Sequence, residues 1–519
     1  PISEPIEQRR WLVDGKLTGD FSGMMNVLAN SPLKAKLGPM VDWRYTGKTE
    51  TKIDLEIPLY KAGKTSVAGN YSVTTAIDNA EIAIIDSPVV LQNIAGSIGY
   101  SSDTGLYADD LTATLWQQSL NAKIFKSDKQ QKVSFTTSLA PANLGRFVDF
   151  PWQEVISGLI PIEALLTIDP QSLESAVKLN MISTMQGVEI NIPAPLGKLP
   201  QESKLLDMSL YFDPRISRLQ GNFGDLLSTD LYFSQGQLRN GLLSYNRKAE
   251  LPDEGVLLVS AYLPTTDLSI WRSWAESISQ GDKSKGSWRT VFDFQFDRMN
   301  LASMDFETIH AQVEAVESGL SVDFTSNLAD GLAIIPWDKH LPPKFDLTRL
   351  QLPAKVIGKS SVIDPRQMSA MDLSVDQLFI AEQHIGSLSF KLRPEPSGAT
   401  FNNISGKFFG LRPGVFEAEA PMDFFWGFDG NNHLSKLVGP VAIDNIGDLF
   451  SAFDMPRVLD SESGKLQMDL LWHGKPWSAN KQNLQGDFKV NLHNGSFYRT
   501  TGGAGAALKV VSLFNFANW

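Results

Sequence analysis

Residues 463–497 read SGKLQMDLLWHGKPWSANKQNLQGDFKVNLHNGSF and decide the fold of the chain. Each half of this stretch alternates between apolar and polar side chains, and a connection containing glycine, proline and asparagine separates the halves. A period of two residues is typical of a β-strand with one apolar and one polar face. Two such strands joined by a short connection predict an antiparallel hairpin. The apolar positions of the hairpin are Leu466, Met468, Leu470, Trp472, Phe488, Val490 and Leu492.

The second strand opens with an apolar-x-Gly-x-apolar phrase that occurs six times in the chain. Because the spacing between the copies is uneven, the phrase does not indicate a strict solenoid period. We interpret each copy as the start of a strand, so that the chain is one hairpin repeated many times. The copies occupy residues 17–21, 67–71, 94–98, 219–223, 404–408 and 484–488.

Alternating apolar residues predict strands along the rest of the chain, separated by turns that contain glycine and aspartate. Pro58, near the end of one such strand, indicates a sheet edge or a strand end. Only about five short helices are predicted from helical spacing and capping residues. They fall at residues 20–28, 143–157, 267–278, 444–453 and 502–519.

This balance of strands and helices poses a covering problem. An antiparallel sheet with one apolar face must bury that face, and the predicted helices are too few to cover it. Three solutions remain: a closed barrel, a sandwich, or a long curled sheet whose groove holds something apolar that is not protein.

Composition excludes several classes of protein. With 519 residues, 42% hydrophobic and 20% charged, the chain has the composition of a globular protein. Its formal net charge of −12 argues against nucleic-acid binding, which needs a basic surface. The absence of cysteine removes disulfides, thiolate metal sites and cysteine nucleophiles. No window approaches the roughly 18 apolar residues of a membrane span, and no signal segment precedes Pro1.

No arrangement of residues indicates catalysis. The six histidines are scattered, and although His473 and His493 could approach each other across the hairpin, we interpret both as ordinary turn or surface residues. The Gly-Lys-Thr sequences at 47–49 and 63–65 lack the first glycine of a phosphate loop. We therefore predict no enzyme activity, no metal site and no cofactor.

Several segments resemble one protein family. They are DLEIPL at 54–59, GVEINIPAPLGK at 187–198, the predicted helix with Asp267 and Trp271, and the terminal stretch from 464 to 515. In this order they resemble the AsmA-like proteins, and within them the YhdP type, over essentially the whole chain.

The resemblance implies a mainly β fold, an elongated, twisted, curled antiparallel sheet that forms a repeating hydrophobic β-groove with a few short helices. It implies one continuous groove region over residues 1–519, which belongs to a longer protein. It also implies an AsmA-like C-terminal segment at 440–519 that ends in a short amphipathic helix.

The resemblance further implies phospholipid transport between the inner and outer membranes, in the periplasm of a diderm bacterium, in support of the outer-membrane barrier. The implied partners are phospholipid acyl chains as cargo, the inner membrane through a missing N-terminal anchor, and the outer membrane at the C-terminal end. We expect no nucleic-acid partner and a monomer. Two alternatives stay open: a repetitive β adhesin or secreted binding protein without lipid cargo, and a carbohydrate enzyme with two converging carboxylates.

The candidate groove-lining residues are the apolar positions of the clearest alternating strands. They are Ile53, Leu55, Ile57, Leu111, Leu115, Val133, Phe135, Met208, Leu210, Phe212, Phe292, Phe294, Phe296, Leu388, Phe390, Leu466, Met468, Leu470, Phe488, Val490 and Leu492.

Overall fold

The structure of the chain is a computed structural model, and by its internal contacts the chain divides into two compact units. The units are Pro1–Tyr262 with Asp267–Thr290, and Leu263–Thr266 with Val291–Trp519. The residues that the structure describes are 10–30, 41–58, 70–85, 87–128, 130–146, 152–169, 176–213, 215–235, 237–265, 289–301, 304–353, 364–408, 410–414, 421–452, 457, 459–480 and 482–497.

The first unit, with most of β16, is built almost entirely from strands. Its elements are β1 (Arg10–Asp20), α1 (Phe21–Ala29), β2 (Arg44–Pro58), β3 (Asn70–Ala83), β4 (Val90–Ser101), β5 (Gly105–Leu115), β6 (Gln118–Ser127), β7 (Gln130–Leu139), a 3₁₀ turn (Pro141–Arg146), α2 (Trp152–Val155), β8 (Ile156–Ser157), β9 (Ile160–Ile168), β10 (Val177–Ser183), β11 (Glu189–Ile190), β12 (Leu206–Phe212), β13 (Ser217–Phe223), β14 (Leu227–Ser234), β15 (Gln237–Tyr245) and β16 (Val256–Thr265).

The second unit, with most of β17, has the same character. Its elements are β17 (Arg289–Leu301), β18 (Met304–Val316), β19 (Gly319–Thr325), β20 (Ala329–Pro336), β21 (Lys344–Leu352), a 3₁₀ turn (Pro365–Gln367), β22 (Met371–Ile380), β23 (Gln383–Glu395), β24 (Gly398–Phe408), β25 (Leu411–Pro413), β26 (Met422–Phe428), β27 (His433–Ile443), α3 (Ile446–Ala452), β28 (Leu459–Asp460), β29 (Ser463–His473), a 3₁₀ turn (Pro476–Ser478), β30 (Leu484–His493) and β31 (Ser496–Phe497).

Strands pair mainly with their neighbours in sequence. In the first unit β1 to β7, β9, β10 and β12 to β15 form one antiparallel series. In the second unit β17 to β21 form one antiparallel series, and β22, β23, β24, β26, β27, β29 and β30 form another. The joins β15–β16 and β21–β22 are parallel. The predicted mainly β, mostly antiparallel fold with a few short helices is therefore confirmed.

The terminal hairpin forms as predicted. Strands β29 and β30 are antiparallel, with Leu466 opposite Val490 and Met468 opposite Phe488. Pro58 is the last residue of β2, as expected for a residue that cannot donate to the ladder.

Three of the predicted short helices are present. Helix α1 places Phe21 and Met25 on one buried face and ends at Ala29, just before Pro32. Helices α2 and α3 fall within the predicted ranges 143–157 and 444–453. The helices predicted at 267–278 and 502–519 lie outside the described residues.

Two glycine phrases meet the start of a strand: 484–488 begins β30, and 67–71 reaches the start of β3, although residues 67–69 lie outside the described residues. The other four copies lie within or at the end of a strand, and for them the prediction was wrong. In three copies Gly96, Gly406 and Gly486 have φ angles of 136°, 151° and 127°. A Cβ atom at these positions would lie within 2.5 Å of a backbone oxygen on the neighbouring strand. The recurring glycine therefore permits close approach of two strands and a local bend, which a side chain would prevent.

Candidate functional site

Strand register assigns the side chains of the first unit's sheet to two faces. Directly opposed residues point to the same face, and side chains alternate along each strand. Leu55 of β2 lies opposite Val13 of β1 and Tyr71 of β3. Val73, two residues along β3, lies opposite Tyr100 of β4. We name this side of the sheet the apolar face.

The apolar face continues across the whole series of strands. Two rows of directly opposed residues each cross ten strands, β5 to β7, β9, β10 and β12 to β16, and neither row contains a charged residue. At about 4.8 Å per strand, such a row is roughly 45 Å long. The first row is Ala108, Ile124, Val133, Leu166, Leu179, Leu210, Leu219, Leu231, Gly241 and Leu257. The second row is Leu111, Ala122, Phe135, Ala164, Met181, Met208, Gly221, Thr229, Leu243 and Val259.

The opposite face of the same strands is polar. Asn180, Ser209, Gln220 and Asp230 follow one another in register between the two apolar rows. The amide of Asn180 donates to the Ser209 hydroxyl at 2.7 Å. Arg218 donates to the Asp230 carboxylate from Nε at 2.7 Å, and this hydrogen bond raises the pKa of the guanidinium. The sheet is therefore amphipathic across its thickness.

Helix α1 covers the apolar face along one long edge of the first unit's sheet, which we name the capped edge. Phe21 and Met25 pack against Tyr45, Ile77 and Ile94, and all five side chains are buried. The ring centroids of Phe21 and Tyr45 are 4.9 Å apart. Burial raises the pKa of the Tyr45 hydroxyl. The helix thus closes part of the apolar face with a protein core.

A second cover lies over the capped edge farther along the sheet. Met185 and Val188, which follow β10, are buried against Ile160 of β9 and pack with Leu206 of β12 and Phe223 of β13. This cover contains β11 and consists of Met185 and the GVEINIPAPLGK segment at 187–198, one of the segments on which the family resemblance rests.

The buried Lys198 side chain stabilises the second cover by hydrogen bonds to its backbone. Its Nζ donates to the carbonyl oxygens of Val188 and Leu199 at 2.6 and 2.9 Å. Burial lowers the pKa of this ammonium group. Because the Lys198 ammonium donates to backbone oxygens of its own loop, we interpret its role as structural.

Toward the opposite edge, no segment among the described residues covers the apolar face, and we name this the open edge. Leu55, Val133 and Leu210 are half-buried there, whereas Tyr71 and Phe212 are 40% and 41% exposed. A closed core would bury large apolar side chains that point the same way, so their partial exposure indicates a surface available to an apolar partner.

The crossover between β15 and β16 passes over the polar face. Parallel neighbours need a connection that returns along the full strand length. The Asn240 amide, on the polar face of β15, donates to the carbonyl of Pro252 at 2.9 Å, and the Ser244 hydroxyl donates to the carbonyl of Arg247. The apolar face therefore remains free of this crossover.

The second unit has its own apolar face, traced by the same rule. One row crosses β17 to β23, and another crosses β23, β24, β26, β27, β29 and β30. The first row is Phe292, Val313, Val322, Ala333, Phe345, Leu373 and Phe390. The second row is Leu392, Phe401, Phe424, Leu437, Leu470 and Gly486.

A line of aromatic rings runs across this face. The ring centroids of Phe390 and Phe401 are 5.3 Å apart, and those of Phe401 and Phe424 are 5.6 Å apart. The next contact, from Phe424 to Trp472, is 5.9 Å. These distances are typical of aromatic pairs that stabilise one another by contact.

Strand β29 of the second unit buries its apolar side chains. Met468, Leu470 and Trp472 of β29 are 9%, 7% and 5% exposed and cluster with buried Met422 and Val441. This end of the sheet is packed as a protein core, in contrast to the open edge of the first unit.

Helix α3 covers one edge of this packed end. Ile446 of α3 is fully buried with Ile443 and Leu459. At the other edge the 3₁₀ turn after β29 places Trp477 on Trp426, with ring centroids 5.5 Å apart.

All the predicted lining residues lie on the apolar face of their unit, and their contact with lipid stays a prediction. Leu111, Phe296, Met468 and Leu470 are buried, and Phe212 and Phe488 are exposed. The others are half-buried: Ile53, Leu55, Ile57, Leu115, Val133, Phe135, Met208, Leu210, Phe292, Phe294, Leu388, Phe390, Leu466, Val490 and Leu492.

Other residues of the apolar face were not predicted from the sequence. Val13, Leu166, Leu179 and Leu231 belong to it by register. A signal existed in β9, where Ile160, Ile162, Ala164, Leu166 and Ile168 alternate, but Leu165 on the other face obscures the period.

His473 and His493 do not approach each other, and both are exposed, in agreement with their interpretation as ordinary turn or surface residues. His493 lies opposite Ser463 at the start of β29, whereas His473 follows Trp472 at its other end. Because β30 runs antiparallel to β29, the two histidines lie at opposite ends of the hairpin. Nowhere in the described ranges do three or more His, Asp or Glu side chains come together as metal ligands could.

The comparisons with known proteins give one match. The model of a family described as YhdP protein matches residues 6–518. No curated protein and no solved structure matches the chain. Among the described residues, no helix has the length and apolar character needed to cross a membrane. Since the family model covers nearly the whole chain, the protein belongs to the YhdP family of AsmA-like cell-envelope proteins.

Proposed function

We propose that the chain carries phospholipid between the inner and outer membranes, with the acyl chains on the apolar face and the headgroup in water. The observation that supports this is the pair of uncharged rows that cross ten strands of the first unit. A periplasmic location, attachment to the inner membrane, contact of the C-terminal end with the outer membrane and support of the outer-membrane barrier belong to the same proposal.

The energetics make such a face useful. A phospholipid has on the order of 30 acyl methylene groups, and exposing each to water costs about 0.8 kcal/mol. The resulting barrier, on the order of 25 kcal/mol, makes unassisted transfer through water very slow. An apolar surface that stays accessible along one edge removes most of this cost while the headgroup remains hydrated.

The test compares two neighbouring positions on opposite faces of β3. A photo-crosslinking amino acid is placed at Val73, on the apolar face, or at Thr74, on the polar face; both side chains are half-buried. After irradiation of the chain purified with membrane lipid, extraction and mass spectrometry identify the adducts. We expect phospholipid adducts at Val73 and few at Thr74, because only the first position faces the proposed path.

Two results would contradict the proposal. Adducts at Val73 that join only parts of the same chain would make this face a protein core. Equal labelling at both positions would indicate nonspecific lipid and favour a β-structured binding protein without lipid cargo.

A further inference from the structure

The turn after β29 presents two hydrogen-bond donors beside the apolar face of the second unit. The Lys475 ammonium lies 5.7 Å from the centre of the Trp477 ring, and Trp477 is 48% exposed. Within the described ranges, neither the Lys475 ammonium nor the Trp477 indole N–H has a carboxylate or carbonyl partner. A cation and a neutral N–H donor are therefore available to external acceptors.

The position of this turn is fixed by the apolar face itself. The indole N–H of Trp472 donates to the carbonyl of Lys475 at 2.9 Å, and the Ser435 hydroxyl donates to the carbonyl of Gly474 at 2.9 Å. Trp472 and Ser435 are opposed in register on that face. The Ser478 hydroxyl also donates to the carbonyl of Lys475, at 2.7 Å. The backbone that carries the two donors is thus held in place before any ligand arrives.

Aromatic rings connect the turn to the apolar interior. The exposed ring of Trp477 stands edge-on to Trp426, which is buried on the apolar face. The Trp426 indole N–H donates to Nδ1 of His433 at 3.1 Å, and His433 stacks on Phe428 at 4.5 Å. A molecule held at the turn would therefore have a polar contact with the two donors and an apolar contact with the exposed ring of Trp477.

We propose that Lys475 and Trp477 bind the phosphodiester group of a phospholipid, and that the exposed ring of Trp477 contacts its acyl chains where they begin. This inference rests on the proposed function and adds the chemistry of the headgroup. An ammonium gives a charge-assisted hydrogen bond to a phosphate oxygen, and the indole N–H gives a second one. Tryptophan suits this boundary because its ring is apolar and its N–H is polar.

The experiment measures selectivity rather than total lipid. The purified chain is incubated with equal amounts of phosphatidylglycerol, phosphatidylethanolamine and diacylglycerol that carry the same acyl chains, and bound lipid is counted by native mass spectrometry. We expect the wild type to retain both phospholipids in preference to diacylglycerol. In the K475Q/W477L variant this preference should fall about tenfold, because the charge-assisted hydrogen bond to the phosphate is lost. The variant should still bind diacylglycerol.

Two control variants remove a lysine ammonium or a tryptophan indole elsewhere in the second unit. K489Q removes a lysine from the polar face of β30, opposite Gln467, and W337L removes a tryptophan that is 45% exposed. Both controls should keep the wild-type preference. The single variant K475Q and a melting curve for each protein show whether any loss comes from misfolding.

The outcomes separate the two proposals. If K475Q/W477L is folded and keeps the preference, the headgroup site is wrong while lipid transport stands. If the wild type binds none of the three lipids, both proposals fail. If inorganic phosphate protects Lys475 from chemical labelling and phospholipid does not, the site takes free phosphate and the lipid assignment is overturned.

Discussion

A carboxylate at Leu470 is expected to unfold the end of the second unit, whereas a carboxylate at Leu55 should leave the first unit folded. Both leucines lie on an apolar face, but Leu470 is 7% exposed and Leu55 is half-buried. Leu470 lies opposite Leu437 and Gly486, so no opposed side chain offers a cation.

The magnitudes follow from burial. Removing a buried leucine side chain costs about 2–5 kcal/mol, and an unpaired buried carboxylate adds several kcal/mol or becomes protonated. For Leu470→Asp the total loss in free energy of unfolding is at least about 5 kcal/mol. The net stability of an ordinary domain is about 5–15 kcal/mol, so this loss is comparable to it. For Leu55→Asp, water can reach the carboxylate, and the loss of partial burial is about 1–2 kcal/mol.

The assay is thermal unfolding by circular dichroism, with hydrogen exchange to locate the unfolded strands. Leu55→Asp should lower Tm by about 5 °C, given roughly 2–4 °C per kcal/mol for a unit of this size. Leu470→Asp should abolish the cooperative transition of the second unit and expose the amides of β26 to β30. Gln467→Asp, at an exposed position on the polar face of β29, is the matched control and should melt like the wild type.

Equal melting temperatures for the Leu470→Asp and Gln467→Asp variants would contradict this prediction. That result would mean that the cluster around Leu470 opens to water at little cost, so that this end of the face is as accessible as the open edge of the first unit.

Three further predictions concern the cover, the glycines and the pH dependence. Phe21→Ala should cost about 3–4 kcal/mol, because the buried ring leaves a cavity under α1; faster hydrogen exchange in β2 to β4 checks this, and unchanged exchange would contradict it. Gly486→Ala should destabilise the terminal hairpin, since φ is 127° and the new Cβ would lie 2.0 Å from the carbonyl oxygen of Asp469; Gly19→Ala, with nothing within 4 Å of the new Cβ, is the control in urea unfolding. Burial lowers the pKa of His433, so this side chain binds a proton more readily in the unfolded chain than in the folded one. The free energy of unfolding should therefore fall as the pH decreases through about 6.5. His433→Gln should remove this part of the pH dependence, and an unchanged slope of stability against pH would show that another group causes it.

Single strands and helices could be predicted from the sequence where the spacing of their apolar residues indicates the element. The alternation in 463–497 gave both strands of the terminal hairpin, and the spacing of Phe21 and Met25 gave helix α1. Which side chains share a face within one strand follows from the pleat alone. For this reason the predicted lining residues fall on one face in each unit.

Relations between strands could not be predicted in the same way. Register decides which strand ends meet, and it places His473 and His493 at opposite ends of the terminal hairpin. The parallel joins at β16 and β22 depend on where a long connection crosses the sheet, and the alternation within a strand carries no signal for strand direction. The cover held by Lys198 depends on contacts between distant segments, which the periodicity of any one segment does not contain.

The uncharged rows of the first unit have a consequence for the direction of movement. If phospholipid moves along them, its acyl chains meet nearly the same surface at each strand, so the free-energy profile along the row is close to level. A level profile gives an unbiased random walk, in which the time to cross rises with the square of the number of strands. Net flux would then depend on unequal supply and removal at the two ends, and the sheet itself would act as a track without a preferred direction.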